Sequence, residues 1–317
     1  VFSLPELEDA RRLVHRAFPG TPQFAWPLLA NRCGAEVWVK HENHTPTGAF
    51  KLRGGLIYAE RLARERPDVP GIVSATRGNH GQSLAWAGRQ HGVSVTIVVP
   101  FGNSTEKNAA MQALGCRLIE HGADFEAARD KASVLAAEEG LEFAPSFAPD
   151  LVKGVGTYAL ELFQGAPPLD AVYVPIGLGS GICGVIRTRD LLGLKTEIVG
   201  VQATGADCYA QSLAAGRPIG LNRADTLADG IAVRQPDAAA FAQIQAGVSR
   251  IVTVSDAAIA EAIRAYWTDT HNLIEGAGAA PLAALLQERD RMAGKHVGLI
   301  ASGGNIDLAL FRQWVQG

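Results

Sequence analysis

Short runs of β-branched and other apolar residues recur along the chain, each closed by glycine or proline. Each is followed by a longer stretch whose apolar residues repeat every three to four positions. The short runs have the length and composition of buried strands, and the longer stretches have the period of amphipathic helices. In the middle of the chain this pattern predicts strands over 71–75, 93–99, 117–119 and 141–144. Helices are predicted over 81–90, over 104–114 with Ser104 as N-cap, and over 125–139, with Gly115 and Gly140 as stops. The rhythm returns with strands over 171–176, 197–201, 250–254 and 296–301, and helices over 157–163, 184–192, 257–267, 280–292 and 306–315. Alternation of this kind implies an α/β fold in which parallel or mostly parallel twisted sheets are flanked by helices. Two series of alternation imply two lobes. A small lobe, 71–148, is inserted into a large one made of 1–70 and 149–317, and the segments 53–70 and 145–149 read as crossings between them.

Composition narrows the class. With 47% hydrophobic and 19% charged residues, the 317-residue chain is too apolar for a disordered protein and long enough for an ordinary core. A net charge of −3 argues against a nucleic-acid binder, which normally carries a basic face. Cys33, Cys116, Cys183 and Cys208 are widely spaced with no C-x-x-C pair, which suits reduced thiols in a cytoplasmic protein and neither a disulfide framework nor a zinc site. The longest apolar runs, such as 95–100, are too short to cross a bilayer, and no signal-peptide pattern opens the sequence, so no membrane partner is expected.

Four segments carry candidate chemistry. In the first, a turn at Thr45, Pro46, Thr47 and Gly48 leads through Ala49 and Phe50 into a helix whose first turn carries Lys51. A partly desolvated lysine can lose its proton and attack a carbonyl, whereas an ordinary helix lysine only sits in solvent. The second, Gly177, Leu178, Gly179, Ser180 and Gly181, follows a strand and opens a helix. Converging backbone amides and a helix N-terminus suit a phosphate. The dinucleotide fingerprint is incomplete there, and a turn that merely packs tightly reads as well. The third, Ser302, Gly303, Gly304 and Asn305, again joins a strand to a helix, and Ser302 is either a site residue or a helix cap. The fourth, Thr76, Arg77, Gly78, Asn79 and His80, could bind a carboxylate through its amides, with His80 catalytic or simply a hydrogen-bonded structural residue. Together, a lysine, a phosphate cup, a carboxylate cup and a polar residue on a third loop meet the needs of pyridoxal phosphate.

At these residues the chain resembles the fold type II pyridoxal-phosphate enzymes, in the threonine/serine dehydratase and serine racemase branch. The motifs are residues 47–54, 78–82, 177–184, 229–233 and 302–305, and the resemblance runs from about Thr21 onward. It implies that Lys51 holds pyridoxal 5'-phosphate covalently with Phe50 beside the ring, and that Asn79 bonds the ring hydroxyl. Gly177, Leu178, Gly179, Ser180 and Gly181 would cradle the phosphate, and Ser302 would face the pyridine nitrogen. Thr76, Arg77, Gly78, Asn79 and His80 would close on the substrate's α-carboxylate. Glu275 would lie near the ring or belong to a structural hydrogen-bond network. The implied reaction is α,β-elimination from a β-hydroxy-α-amino acid to a 2-oxo acid and ammonia, with Lys51 as base. A homodimer is the family expectation.

Departures from the family pattern matter. Arg77 stands where the racemases carry a serine, so elimination without racemisation is expected, with Arg77 either pairing with a substrate carboxylate or pointing to solvent. Leu178 and Ser180 replace glycines of many dehydratases. Gln202, Ala206 and Cys208 stand where some relatives ligate a divalent cation, so no metal site is expected there. The sequence ends soon after the last motif, so a regulatory domain of the biosynthetic dehydratases is not expected, which favours a catabolic role. Threonine or serine is the default substrate, and phenylserine or 3-hydroxyaspartate is the alternative. Two further readings are β-replacement of the cysteine-synthase kind, which His80 disfavours, and a catalytically silent binding protein on the same scaffold, which the set Lys51, Asn79 and Ser302 disfavours.

Overall fold

Ser3 opens the first helix by donating its backbone N–H to the Glu6 carboxylate at 2.7 Å, a capping contact that holds the start of α1 (Leu4–Ala17). The structure, a computed structural model, describes residues 2–316. The chain continues through β1 (Gln23–Ala25), α2 (Pro27–Cys33), β2 (Glu36–His41) and α3 (Lys51–Glu65). Next come β3 (Gly71–Ala75), α4 (Asn79–His91), β4 (Ser94–Val99), α5 (Thr105–Ala113), β5 (Arg117–Glu120), α6 (Phe125–Glu139), β6 (Glu142–Phe143) and α7 (Pro149–Gly165). The remainder is β7 (Ala171–Pro175), α8 (Ser180–Leu191), β8 (Glu197–Ala203), α9 (Cys208–Ala215), α10 (Ala238–Gly247), β9 (Arg250–Val254), α11 (Asp256–Thr270), α12 (Gly276–Gln287), α13 (Arg289–Met292), β10 (His296–Ala301) and α14 (Leu308–Gln316).

The strands form two sheets, ordered β1-β2-β10-β7-β8-β9 and β5-β4-β3-β6. Every pairing is parallel except that of β1 with β2. This is the α/β class that the alternation predicts. The central strands of the larger sheet are apolar at consecutive positions because both faces are covered. Tyr173, Val199, Val201 and Leu299 pack towards α11 and α12, whereas Val172, Val174, Ile198 and Ile300 pack with residues of α7, α8 and α10. The sequence ends of β2, β10 and β7, three neighbours in that sheet, lie side by side. Loops that leave them are therefore forced together at the carboxyl edge, where α/β proteins bind ligands.

Two expectations need correction. Residues 53–70 are not mainly a crossing. Most of them are α3, whose Leu52, Leu56, Ile57, Ala59 and Leu62 are buried. Helix α7 starts at Pro149, well before 157. Pro149 fits the first helical position, where no N–H is needed. Gly154 looks like a breaker in sequence but serves close packing. A Cβ there would lie 2.3 Å from the Arg53 carbonyl oxygen, so glycine lets α7 touch α3 backbone to backbone. Among the described residues no helix is long and apolar enough to cross a membrane.

Candidate active site

The turn after β2 is locked from within and from the side. Thr45 Oγ1 accepts from Ala49 N at 2.9 Å and donates to the Ala49 carbonyl at 2.8 Å. Gly48 takes φ +69°, a left-handed conformation open to glycine. Phe50 N donates to the Ser302 carbonyl at 3.0 Å, and Gly304 N to the Gly48 carbonyl at 2.9 Å. The start of α3 is thereby fastened to the end of β10, which brings Lys51 and Ser302 to one place. Lys51 Nζ lies 5.1 Å from the centroid of the Phe50 ring and 3.3 Å from Ser180 Oγ. Among the described residues it has no carboxylate partner, and burial alone pushes its pKa down to about 8. Ser302 is buried.

Ser180 belongs to the glycine loop between β7 and α8. Gly179 has φ +105°, which a side chain would oppose, and a Cβ on Gly177 would lie 2.4 Å from the Gly230 carbonyl oxygen. The Leu178 carbonyl is held by Tyr209 Oη at 2.9 Å, and the Gly181 carbonyl accepts from Tyr158 Oη at 3.4 Å. The first N–H groups of α8 have no acceptor within their own helix, so they are free for an anion.

The loop after β3 supplies the opposite wall. Thr76 Oγ1 accepts from Gly78 N at 3.1 Å. Arg77 is exposed, and among the described residues only its carbonyl is engaged, by Asn103 Nδ2 at 3.2 Å. The His80 ring is buried. Its nitrogens approach the Ala144 and Pro145 carbonyls without making a hydrogen bond, and burial, then the Lys51 charge, push its pKa down to about 3. It is therefore neutral at pH 7 and adds no positive charge for a carboxylate. Asn79 begins α4 and reaches Glu275, which caps α12, and Asn305, which follows β10. Its Nδ2 donates to Glu275 Oε1 at 2.9 Å, and its Oδ1 accepts from Asn305 Nδ2 at 2.8 Å.

Glu275 is buried, and burial pushes its pKa up to about 7 against the opposing pull of Lys107 and the Asn79 hydrogen bond. A cavity of about 30 Å³ opens beside it, lined by Lys107, Asp229, Glu275 and Asn305 among others. Lys107, from α5, pairs with Asp229, 122 residues on in the chain, at 2.9 Å. The Lys107 stem crosses Gly78 so closely that a Cβ on Gly78 would lie 2.7 Å from Lys107 Cδ. Asn305, Lys107 and Asp229 are neighbours that sequence reasoning gave no role. Asn305 and Asp229 stand inside quoted motifs, but nothing in the sequence says which side chains they meet. Away from the site, Gln202 Nε2 lies 3.8 Å from Cys208 Sγ, and Gln202 Oε1 accepts from Ala210 N at 3.0 Å. These two side chains thus serve each other and the start of α9.

The residues fit pyridoxal phosphate. A buried amine without a counter-anion suits an aldehyde-binding lysine. An amide-rich helix start within a hydrogen bond of that amine suits a phosphate. A family described as "Pyridoxal-phosphate dependent enzyme" matches residues 14–303, which is most of the chain. The chain belongs to this family. An L-threonine ammonia-lyase of Thermotoga maritima is 32% identical over 309 residues, spanning 97% of this chain and 77% of that one. A biosynthetic L-threonine dehydratase of Salmonella typhimurium is 32% identical over 300 residues, 94% of this chain but only 58% of that protein. The structure of maize serine racemase superposes with a TM-score of 0.92 at 27% identity, covering 98% of this chain and 96% of that one. This pyridoxal-phosphate dependent enzyme therefore lies in the dehydratase and racemase branch that its motifs resemble, and pyridoxal 5'-phosphate is its cofactor.

Proposed function

We propose that the chain is an ammonia-lyase that removes water from a β-hydroxy-α-amino acid, threonine or serine by preference, to give a 2-oxo acid and ammonia. The observation that carries this reading is Lys51, a buried amine with a pKa near 8 placed between an anion cup and a neutral serine loop. Pyridoxal phosphate, when bound, supplies the electron sink that makes the substrate's α-proton acidic. Lys51 Nζ, in its neutral amine form, would be the base that takes that proton. The amides at the start of α4, with Thr76, Gly78, Asn79 and neutral His80, hold the α-carboxylate by hydrogen bonds. Gly177, Leu178, Gly179, Ser180 and Gly181 would hold the phosphate, and Phe50 would support the ring. Ser302 would offer the ring nitrogen a hydroxyl. Unlike a carboxylate it would not favour a protonated ring, and the β-hydroxyl departs with one proton as water, the counterpart of the α-proton that Lys51 takes. The released enamine hydrolyses in water.

A second reading, an acidic β-substituent, rests on Arg77, whose exposed guanidinium has no ion pair among the described residues and can meet a second carboxylate. The test is 2-oxo acid release from the isomers of serine, threonine, phenylserine and 3-hydroxyaspartate. Threonine and serine should be turned over with little D-isomer. Release from phenylserine or hydroxyaspartate alone would replace the default substrate, and release from none would remove the lyase reading. The segment 71–148 is proposed as the substrate-side lobe. A homodimer is proposed from exposed Phe24, Leu28 and Leu273, and a sedimentation mass of one chain would remove it. Four unpaired thiols support a cytoplasmic setting, which cell fractionation would check.

A further inference from the structure

We propose that Asn305 is a positioning residue for the cofactor: it fixes the side-chain amide of Asn79 in the orientation that presents a free N–H to the ring hydroxyl. The inference rests on the reading of Asn79 as the residue that meets that hydroxyl.

A main-chain carbonyl can only accept. Thr47 O accepts from Asn305 Nδ2 at 2.8 Å, so the Asn305 amide must turn its nitrogen that way. The same nitrogen donates its other hydrogen to Asn79 Oδ1 at 2.8 Å. Asn79 must then turn its oxygen towards Asn305 and its nitrogen towards Glu275, where Nδ2 donates to Oε1 at 2.9 Å. Rotating the Asn79 amide by half a turn would set two donors against each other at Asn305, whichever protonation state Glu275 holds. One Asn79 hydrogen is thus committed to Glu275, and the other has no acceptor among the described residues.

The surrounding backbone makes room for this arrangement. Asn305 Oδ1 would lie 2.6 Å from a Cβ on Gly48, so the left-handed glycine that shapes the Lys51 turn also admits the Asn305 side chain. Glu275 Oε1 would lie 2.6 Å from a Cβ on Gly303, in the same loop as Asn305. Asn79 belongs to α4, whereas Thr47, Glu275 and Asn305 come from the loops around the larger sheet. The orientation of one cofactor ligand is therefore set from across the cleft, by a chain of donors that ends on the backbone beside Lys51.

The test is a double-mutant cycle on cofactor binding, with Asn305→Ala, Asn79→Ala and the double variant, plus Asn305→Asp. Each purified apoprotein is titrated with pyridoxal phosphate. The dissociation constant is recorded along with the ratio of the bound cofactor's long- and short-wavelength absorption bands, which reports where the ring hydroxyl's proton lies. Asn305→Ala should weaken binding about five- to tenfold, the scale of one hydrogen bond, and shift the band ratio. Asn305→Asp should do at least as much, because its oxygens face Thr47 O and Asn79 Oδ1. In the Asn79→Ala background the Asn305→Ala change should shrink to less than about twofold. Equal effects of Asn305→Ala in both backgrounds would overturn the inference alone, as would an unchanged band ratio in Asn305→Asp. An Asn79→Ala variant that binds the cofactor as the parent does would overturn the Asn79 reading, and the inference with it.

Discussion

At the scale of single residues, the account depends most on the environment of Lys51. A lysine of pKa 10.5 is neutral in less than about one molecule in a hundred at pH 8, whereas one near 8 is neutral in about half. Turnover should therefore rise with pH along an acid limb centred near 8. An acid limb near the histidine range would point to another base. The Arg77 side chain stands in solvent. Arg77→Ala should change kcat/KM for threonine less than about threefold, in keeping with a screened surface charge. If a substrate with a second carboxylate is the true one, the loss for that substrate should exceed tenfold. Asn79, Ser302 and the glycine loop stand out in the sequence because each lies in a contiguous strand–turn–helix motif, and Lys51 because a Pro-Gly turn leads into its helix; the structure places Lys51 Nζ 3.3 Å from Ser180 Oγ of that loop. The partners of Asn79 were not. Glu275 and Asn305 lie 196 and 226 residues away along the chain, and only the folded sheets bring them within 3 Å.

At the scale of elements, close backbone approach explains what sequence patterning left out. The strands over 250–254 and 296–301 and the helix over 125–139 were legible to the residue, because periodicity and glycine stops agreed there. The first half of α7 was hidden by Gly154, which in sequence imitates a breaker. Strand β2 was hidden by Lys40 and His41, which are buried but polar. Both failures have one cause, which is that tertiary contact overrides local propensity. Gly154→Ala should cost roughly 3 kcal/mol, because the clash is with the Arg53 backbone and α3 must move. Gly92→Ala, at φ +69° with nothing within 4 Å, should cost only about 1–2 kcal/mol of backbone strain. Urea denaturation of the two variants checks this. Equal losses would mean that the α3–α7 contact is not tight.

At the scale of the whole molecule, a buried ionic knot supports the site from behind. Arg53, two residues past Lys51, donates to Glu42 at 2.7 Å and to Glu161 at 2.7 Å, and Lys40 Nζ donates to Glu161 at 2.6 Å. The knot joins β2, α3 and α7. Burial opposes the ionisation of Glu161, yet Arg53 and Lys40 hold its carboxyl well below the usual value of 4.5. A depressed carboxyl stabilises the fold fully above its unfolded pKa, and this share is lost as pH falls through the folded one. Stability should therefore drop as pH falls below about 4.5. Arg53→Met, which leaves two buried carboxylates without their main partner, should cost about 3–5 kcal/mol at pH 7 and flatten that acid dependence. A variant as stable as the parent at pH 7 would show that the knot contributes little.

The most direct test of the whole account is chemical. The purified enzyme with its cofactor is reduced with borohydride, digested, and mapped by mass spectrometry for the lysine that carries the pyridoxyl group. The account predicts one modified site, Lys51, with loss of 2-oxo acid formation on reduction. A pyridoxyl group on a different lysine, or on none, would contradict it.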